Sequence, residues 1–245
     1  MSNTKRFILR HSQLPALSPG STYFLDKTED EILHQLISVF RCRVGDQIIL
    51  MNLNYKESSN QEYHFKITEL SKKGLQLTLE NTQQILEASA KRISLAICLP
   101  NKPAKLEFIL EKAVELGVRE IHLIKSDLSN FSHQLRMDRL EKIVIEATEQ
   151  SERALCPKIF QHNGLSAFIG SSTESVIVAM ERDPLAKHHA GISSGYYLVG
   201  PEGGFSENEK TLLSKDQKIQ KITLGPNILK TETAVIVGLG LLQLV

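Results

Sequence analysis

From Ile93 onward the chain repeats one rhythm, a short apolar segment followed by a helix-patterned one. Ile93–Leu99 is almost wholly apolar. Pro103–Leu116 sets Leu106, Ile109, Leu110, Ala113 and Val114 on one helical face and ends at Gly117. Glu120–Ile124 reads as the next strand, and about Gln134 to Ala154 as a helix bearing Leu140, Ile143, Val144 and Ala147. Val176–Met180, Tyr196–Val199 and Ile222–Leu224 read as further strands. Strands this apolar need cover on both faces, and helices between them supply it. The alternation predicts an α/β fold with a mostly parallel sheet.

Upstream the pattern changes to short, partly alternating strands at Asp46–Met51, Glu62–Ile67 and Leu75–Leu79, with turn chemistry at Gly45-Asp46 and Lys73-Gly74. One helix is predicted over Glu29–Phe40, with Ile32, Leu36, Ile37 and Phe40 on its inner face. These elements suit a small β-barrel. The division falls near residues 80 to 92, giving expected domains of 1–80 and 81–245.

Composition narrows the function classes. With 29 Lys plus Arg against 28 Asp plus Glu, the net charge is +1, which excludes binding to nucleic acid by bulk electrostatics but not a local basic face. Cys42, Cys98 and Cys156 stand far apart without metal-ligand spacing, and read as buried reduced thiols of a cytoplasmic protein. His188-His189 reads as exposed loop. No metal is expected. Met1–Arg10 holds no apolar core of signal-peptide length, and the apolar run Ala234–Val245 falls short of the roughly 20 residues of a membrane helix. That run carries no charge, so a helix covered on nearly every side is expected. Gly238 and Gly240 each cost about 1 kcal/mol inside a helix, which suggests close backbone contact.

Ligands of open α/β sheets bind beyond the carboxyl ends of the strands. There, strand Tyr196–Val199 runs into Gly200-Pro201-Glu202-Gly203-Gly204, and Ser206-Glu207-Asn208-Glu209 has the form of a capping box. A second turn, Gly225 to Ala234, succeeds Ile222–Leu224, with Thr231 or Thr233 as caps and Glu232 suited to the positive end of a helix dipole. The two turns are expected side by side at one sheet edge, holding a flat heterocycle between backbone amides and apolar side chains. Neither dinucleotide nor nucleoside-triphosphate spacing is present. No nucleophile–base pair is evident, so group transfer from a bound cofactor fits better than hydrolysis.

GPEGGFSENE, and after it LGPNILKTETA, resembles the signature of the 16S rRNA uridine-N3 methyltransferase family of the SPOUT superfamily. Lys105-Leu106-Glu107 with Glu111–Val118 resembles its K-x-E…EKxxELGV block, and Glu146–Arg153 its EAxEQSxR block. Lys5-Arg6-Phe7, His34 and Arg41–Asp46 are similar to its PUA-like domain. The resemblance implies a PUA-like RNA-binding β-barrel over 1–80 and a SPOUT domain over 81–245 with a C-terminal trefoil knot. It also implies a homodimer whose active site is completed across the interface. The implied cofactor is S-adenosylmethionine, contacting Met180, Gly200, Pro201, Glu202, Gly203, Leu224, Gly225, Ile228, Leu229 and Thr233. The implied reaction methylates N3 of one uridine in 16S rRNA of the small ribosomal subunit.

That reaction spreads negative charge over two uracil carbonyl oxygens, which a cation stabilises. Lys230 and Arg153 are the candidate cations, and Glu232 or Glu202 the candidate proton acceptor or orienting group. Arg153 has a plain alternative, pairing with Glu149 one helical turn away. Lys5, Arg6, Arg10, Arg41 and Arg43 are the candidate RNA contacts, fixing register through phosphates. The family usually reads R-I-L-R-T-E-T-A where this chain has Asn227-Ile228-Leu229-Lys230-Thr231-Glu232-Thr233-Ala234, and E-R-S where it has Asp127-Leu128-Ser129. The cofactor pocket is retained while RNA-facing cations differ. Two alternatives therefore stand beside the leading one: a SPOUT methyltransferase with another RNA target, and a noncatalytic RNA-binding protein of the same fold.

Overall fold

The computed structural model describes residues 4–56, 59–87, 91–132, 134–180 and 194–244. His188-His189 lies outside the described residues. The chain divides into two compact units, Met1–Glu87 with Thr148–Cys156, and Ala88–Ala147 with Pro157–Val245.

The first unit contains β1 (Lys5–Leu9), β2 (Thr22–Asp26), α1 (Asp30–His34), β3 (Gln47–Asn52), β4 (Ser59–Ser71) and β5 (Gly74–Leu86). Its five-stranded sheet has the order β1-β3-β4-β5-β2, with β1 parallel to β3 and the remaining pairs antiparallel. Alternation places Ile48 and Leu50, Phe65 and Ile67, and Leu75 and Leu77 in a core that Phe7, Leu25, Ile32 and Leu36 complete. The segment Thr148–Cys156 is tied in by polar contacts: the Ile8 amide donates to Glu149 (2.7 Å), the Cys156 amide to the Asn54 carbonyl (2.8 Å), and Arg153 to Glu87 (2.9 Å).

The helix predicted over Glu29–Phe40 is broken up. A 3₁₀ turn spans Lys27–Glu29, α1 covers one turn, and Gln35–Val39 is a π-turn closed by the Phe40 amide on the Gln35 carbonyl at 2.8 Å. Glu29 is buried because its carboxylate accepts from the amides of Arg10, His11 and Ser12, which holds it outside the α-helix. The wider π-turn rotates its own residues and Phe40 off the α-helical face. Ile37 and Phe40, expected inside, are exposed.

The second unit runs β6 (Arg92–Cys98), α2 (Pro103–Glu115), β7 (Glu120–Ile124), α3 (Met137–Gln150, of which Thr148 onward belongs to the first unit), β8 (Lys158–His162), α4 (Leu165–Ser171), β9 (Val176–Ala179), β10 (Ser194–Val199), α5 (Glu207–Lys215), β11 (Ile219–Ile222) and α6 (Thr231–Leu244). Its six strands are ordered β11-β9-β10-β6-β7-β8, and each described pairing is parallel. One face packs Ala96, Ile124, Val178 and Leu198 against Leu165, Phe168 and Leu213. On the other, α2 and α6 pack together and α6 lies on β10 and β6. Cys98 and Cys156 are buried, and that burial pushes their thiols up to about 12 and about 11. Cys42 is only half-buried, which departs from the expectation.

The close contact expected at α6 occurs at Gly238. Tyr197 is fully buried and its hydroxyl donates to the Ala234 carbonyl at 2.8 Å. A Cβ on residue 238 would stand 2.0 Å from that hydroxyl oxygen. Gly240 meets nothing comparable. Nor is α6 covered all round, because Thr233, Val237 and Leu241 form an exposed stripe at i, i+4 and i+8. No helix among the described residues is long and apolar enough to cross a membrane.

Candidate active site

Both glycine turns open into one cavity of about 740 Å³, formed entirely by the second unit at the carboxyl ends of its strands. The first turn leaves β10. Its Gly204 amide donates to the Pro201 carbonyl at 2.9 Å, and Gly204 sits at φ 71°, a conformation that favours glycine. The capping box forms as expected: the Ser206 hydroxyl accepts from the Glu209 amide (3.2 Å), and Glu209 accepts from the Ser206 amide (2.9 Å). The buried Glu209 also accepts from the Asp127 amide at 3.0 Å, which fixes the Asp127–Ser129 loop beside the turn.

The second turn leaves β11, whose regular pairing ends at Ile222, two residues earlier than predicted. The Met180 amide still donates to the Ile222 carbonyl at 2.9 Å, so the end of β9 lies between the two turns. The turns are therefore not neighbours at a sheet edge. β9 separates β11 from β10, and Ala179 and Met180 line the space between.

Of the expected cofactor residues, Met180, Gly200, Pro201, Glu202, Leu224, Gly225, Ile228 and Leu229 line the cavity. Gly203 and Thr233 do not. The missing Cβ of Gly203 points toward Leu128, whose Cβ lies 3.2 Å from where it would stand, and Thr233 faces outward on α6. Lys230 and Glu232 are on the wall. Lys230 is exposed and makes no ion pair among the described residues. Arg153 is placed elsewhere. It belongs to the first unit and is buried with its guanidinium on Glu87 at 2.9 Å.

Lys105 is the residue that spacing alone did not single out. It rises from the first turn of α2, and its ammonium bonds the Glu202 carboxylate and stands 3.5 Å from Glu232. Those two carboxylates come from the two different turns, so Lys105 clasps both. The Asn101 amide donates to the other Glu202 oxygen at 3.2 Å. A signal was present in the sequence. Lys102 and Lys105 open a helix with no acidic residue in its first turn, the end where the helix dipole disfavours cations. The bond to Glu202 holds the Lys105 ammonium above its ordinary range. Burial pushes Glu202 upward, but Lys105 and the backbone amides outweigh it and hold the carboxyl below its usual range. Both are charged at neutral pH. The Glu232 oxygen that faces Lys105 is buried, and the 3.5 Å ion pair is longer than an ordinary hydrogen bond.

The cavity thus joins an apolar floor of Ala179, Met180, Val199 and Leu224 to paired charges and an open glycine backbone. Residues 87–243 match the model of the RNA methyltransferase domain family. The chain belongs to that family. This methyltransferase is 29% identical over 227 residues to Ribosomal RNA small subunit methyltransferase E of Rickettsia conorii, covering 90% of this chain and 89% of the relative. It is 30% identical to the protein of the same name from Buchnera aphidicola subsp. Acyrthosiphon pisum, covering 90% and 87%. Among solved structures it is similar to a Ribosomal RNA small subunit methyltransferase E from Neisseria gonorrhoeae bound to S-adenosyl methionine. The TM-score is 0.80 and the identity 27%, across 97% of this chain and 96% of that one.

Proposed function

We propose that this methyltransferase transfers a methyl group from S-adenosylmethionine to N3 of a uridine in 16S rRNA of the small ribosomal subunit. The observation that carries the reading is the single cavity lined by both glycine turns, in a chain whose relatives are named as small-subunit rRNA methyltransferases. Its residues fit the cofactor. The apolar floor suits an adenine, and the glycine turns admit close backbone approach. When bound, the cofactor supplies an activated methyl group on a sulfonium.

This chain's own residues then have separable tasks. Glu202, locked by Lys105 and Asn101, keeps the first turn in shape. Lys230, exposed on the wall, faces the developing negative charge of the uracil oxygens. Glu232 accepts a proton or orients a cation. The first unit is the RNA-binding domain, with a PUA-like barrel. The second carries a trefoil knot, supported by the path of α6, which comes after edge strand β11 yet lies on the inner strands β10 and β6. The enzyme works as a homodimer in the cytoplasm.

Isothermal titration is expected to show one S-adenosylmethionine per chain, and a modification map of 16S rRNA from deletion and complemented strains to show one N3-methylated uridine that depends on this gene. An unchanged uridine map would reject the assignment. Methylation found at another RNA position would instead support the second reading, which Leu128 favours by standing exposed where the family carries a cation.

A further inference from the structure

The first unit carries an exposed apolar patch that its core does not explain. Phe40 is 41% exposed, and Val39 and Val44 are each 59% exposed, all at or just beyond the end of the π-turn. Phe40 is nonetheless fixed in place. Its ring meets the buried Phe7 edge-on at 6.2 Å, and the Lys5 ammonium lies 4.6 Å from its centre. Arg41 and Arg43 follow it in the chain, both exposed and neither in an ion pair among the described residues. Asp46, the acid nearest in sequence, is occupied in accepting from the Arg43 amide at 2.7 Å. Arg41 also holds φ 53°, a conformation costly for a residue with a side chain and found mainly where surroundings or function impose it.

We propose that Phe40, followed by Arg41 and Arg43, is a stacking platform for an unpaired base of single-stranded RNA. An anchored, half-exposed ring offers a sequence-tolerant face to a base, and the exposed guanidiniums one and three residues further along are available to the phosphates that a stacked base brings with it. The cations choose the partner: a second protein chain or a lipid surface would leave the aromatic centre without a base to stack. The platform also sorts the basic residues of this unit. Arg6 is buried on Glu62 and Arg10 is engaged with Glu31, so both act as structural ties, whereas Arg41 and Arg43 point outward. The inference rests on the proposed RNA substrate and names where a strand of it lies.

The chain contains no tryptophan, so Phe40→Trp introduces a single fluorophore at the platform. Titrating the full-length variant with a single-stranded oligouridylate of roughly ten nucleotides should quench its emission saturably, while a duplex of equal length should not. In filter binding, Phe40→Ala should weaken the oligouridylate about ten-fold without altering the salt dependence. Arg41→Gln with Arg43→Gln should flatten the log–log salt slope by about 1.4, two phosphate contacts' worth. All variants should keep the wild-type circular dichroism spectrum and urea midpoint, which verifies the fold of the first unit, and the wild-type S-adenosylmethionine affinity, which verifies that of the second. Wild-type RNA affinity in Phe40→Ala, or binding to Phe40→Trp without quenching, overturns the platform while leaving the methyltransferase reading intact. Equal quenching by duplex, by lipid vesicles or by a second copy of the chain overturns it too. Failure of the wild-type protein to bind any RNA overturns both.

Discussion

At the residue scale the sharpest division of labour is between Lys105 and Lys230, two cations on one cavity wall. Lys105 is spent on Glu202 and Glu232, whereas Lys230 is exposed and makes no ion pair among the described residues. A cation already neutralised by two carboxylates has little field left for a substrate, so of these two Lys230 is the one to which the proposed mechanism assigns the charge developing on a base. Lys230→Ala should therefore slow single-turnover methyl transfer by about 10² while leaving cofactor affinity within about two-fold. Rapid-quench kinetics beside isothermal titration checks this; an unaltered single-turnover rate removes Lys230 from the chemistry. The turns were legible in the sequence because glycine, proline and capping residues act locally. The partners of Lys105 were not, although it stands in the K-x-E block, because they lie 97 and 127 positions further along the chain. Arg153 misled for the mirror-image reason. Its bond to Glu87, 66 positions earlier, comes through folding that no local pattern encodes.

At the scale of elements, the strands and helices that were legible are the strongly patterned ones, such as β6, α2 and β7. The edge strand β8 was missed because Lys158–His162 is only half-buried and mixes polar with apolar residues, as an edge permits. What β8 and β7 build together was equally hidden. His122 is buried on β7, with its ring stacked on Phe160 at 4.9 Å, its Nδ1 2.9 Å from His162 Nε2, and its Nε2 3.3 Å from Glu120. Burial pushes the His122 imidazole down to about 4, and lowers His162 too. The native His122 is then neutral down to about pH 4, while the unfolded one protonates near 6.5. Between those values the unfolded chain binds more protons, so stability is complete above about pH 6.5 and is lost as pH falls through the window. Going from about pH 7 to about pH 5 should cost about 2 kcal/mol from this group, read as a lower urea midpoint. His122→Phe should shrink that fall; an identical pH dependence in the variant would show that His122 does not cause it.

At the scale of the whole molecule, the exposed apolar surfaces at Phe40 and on α6 ask for partners, and their charges separate them. Phe40 is followed in the chain by Arg41 and Arg43, whereas α6 carries no charged residue beyond Glu232. On the second, Val237 and Leu241 are 37% and 36% exposed, and Phe108 of the neighbouring α2 is 41% exposed. A stripe with apolar side chains and no charge to guide it is best matched by a like surface, and a two-fold axis lets one patch meet its own copy. This stripe is therefore the expected contact of the proposed homodimer. Val237→Lys with Leu241→Lys sets two ammonium groups where such an interface would be dry, and burying an unpaired charge costs several kcal/mol. Both positions already face outward, so the fold of the single chain should tolerate the change. Sedimentation velocity should show the wild-type protein as a dimer at micromolar concentration and the double variant as a monomer with an unchanged circular dichroism spectrum. Because the active site is proposed to be completed across that interface, methylation should fall about ten-fold or more with the dimer. A wild-type monomer, or a double variant that still dimerises, would show that the stripe serves another purpose.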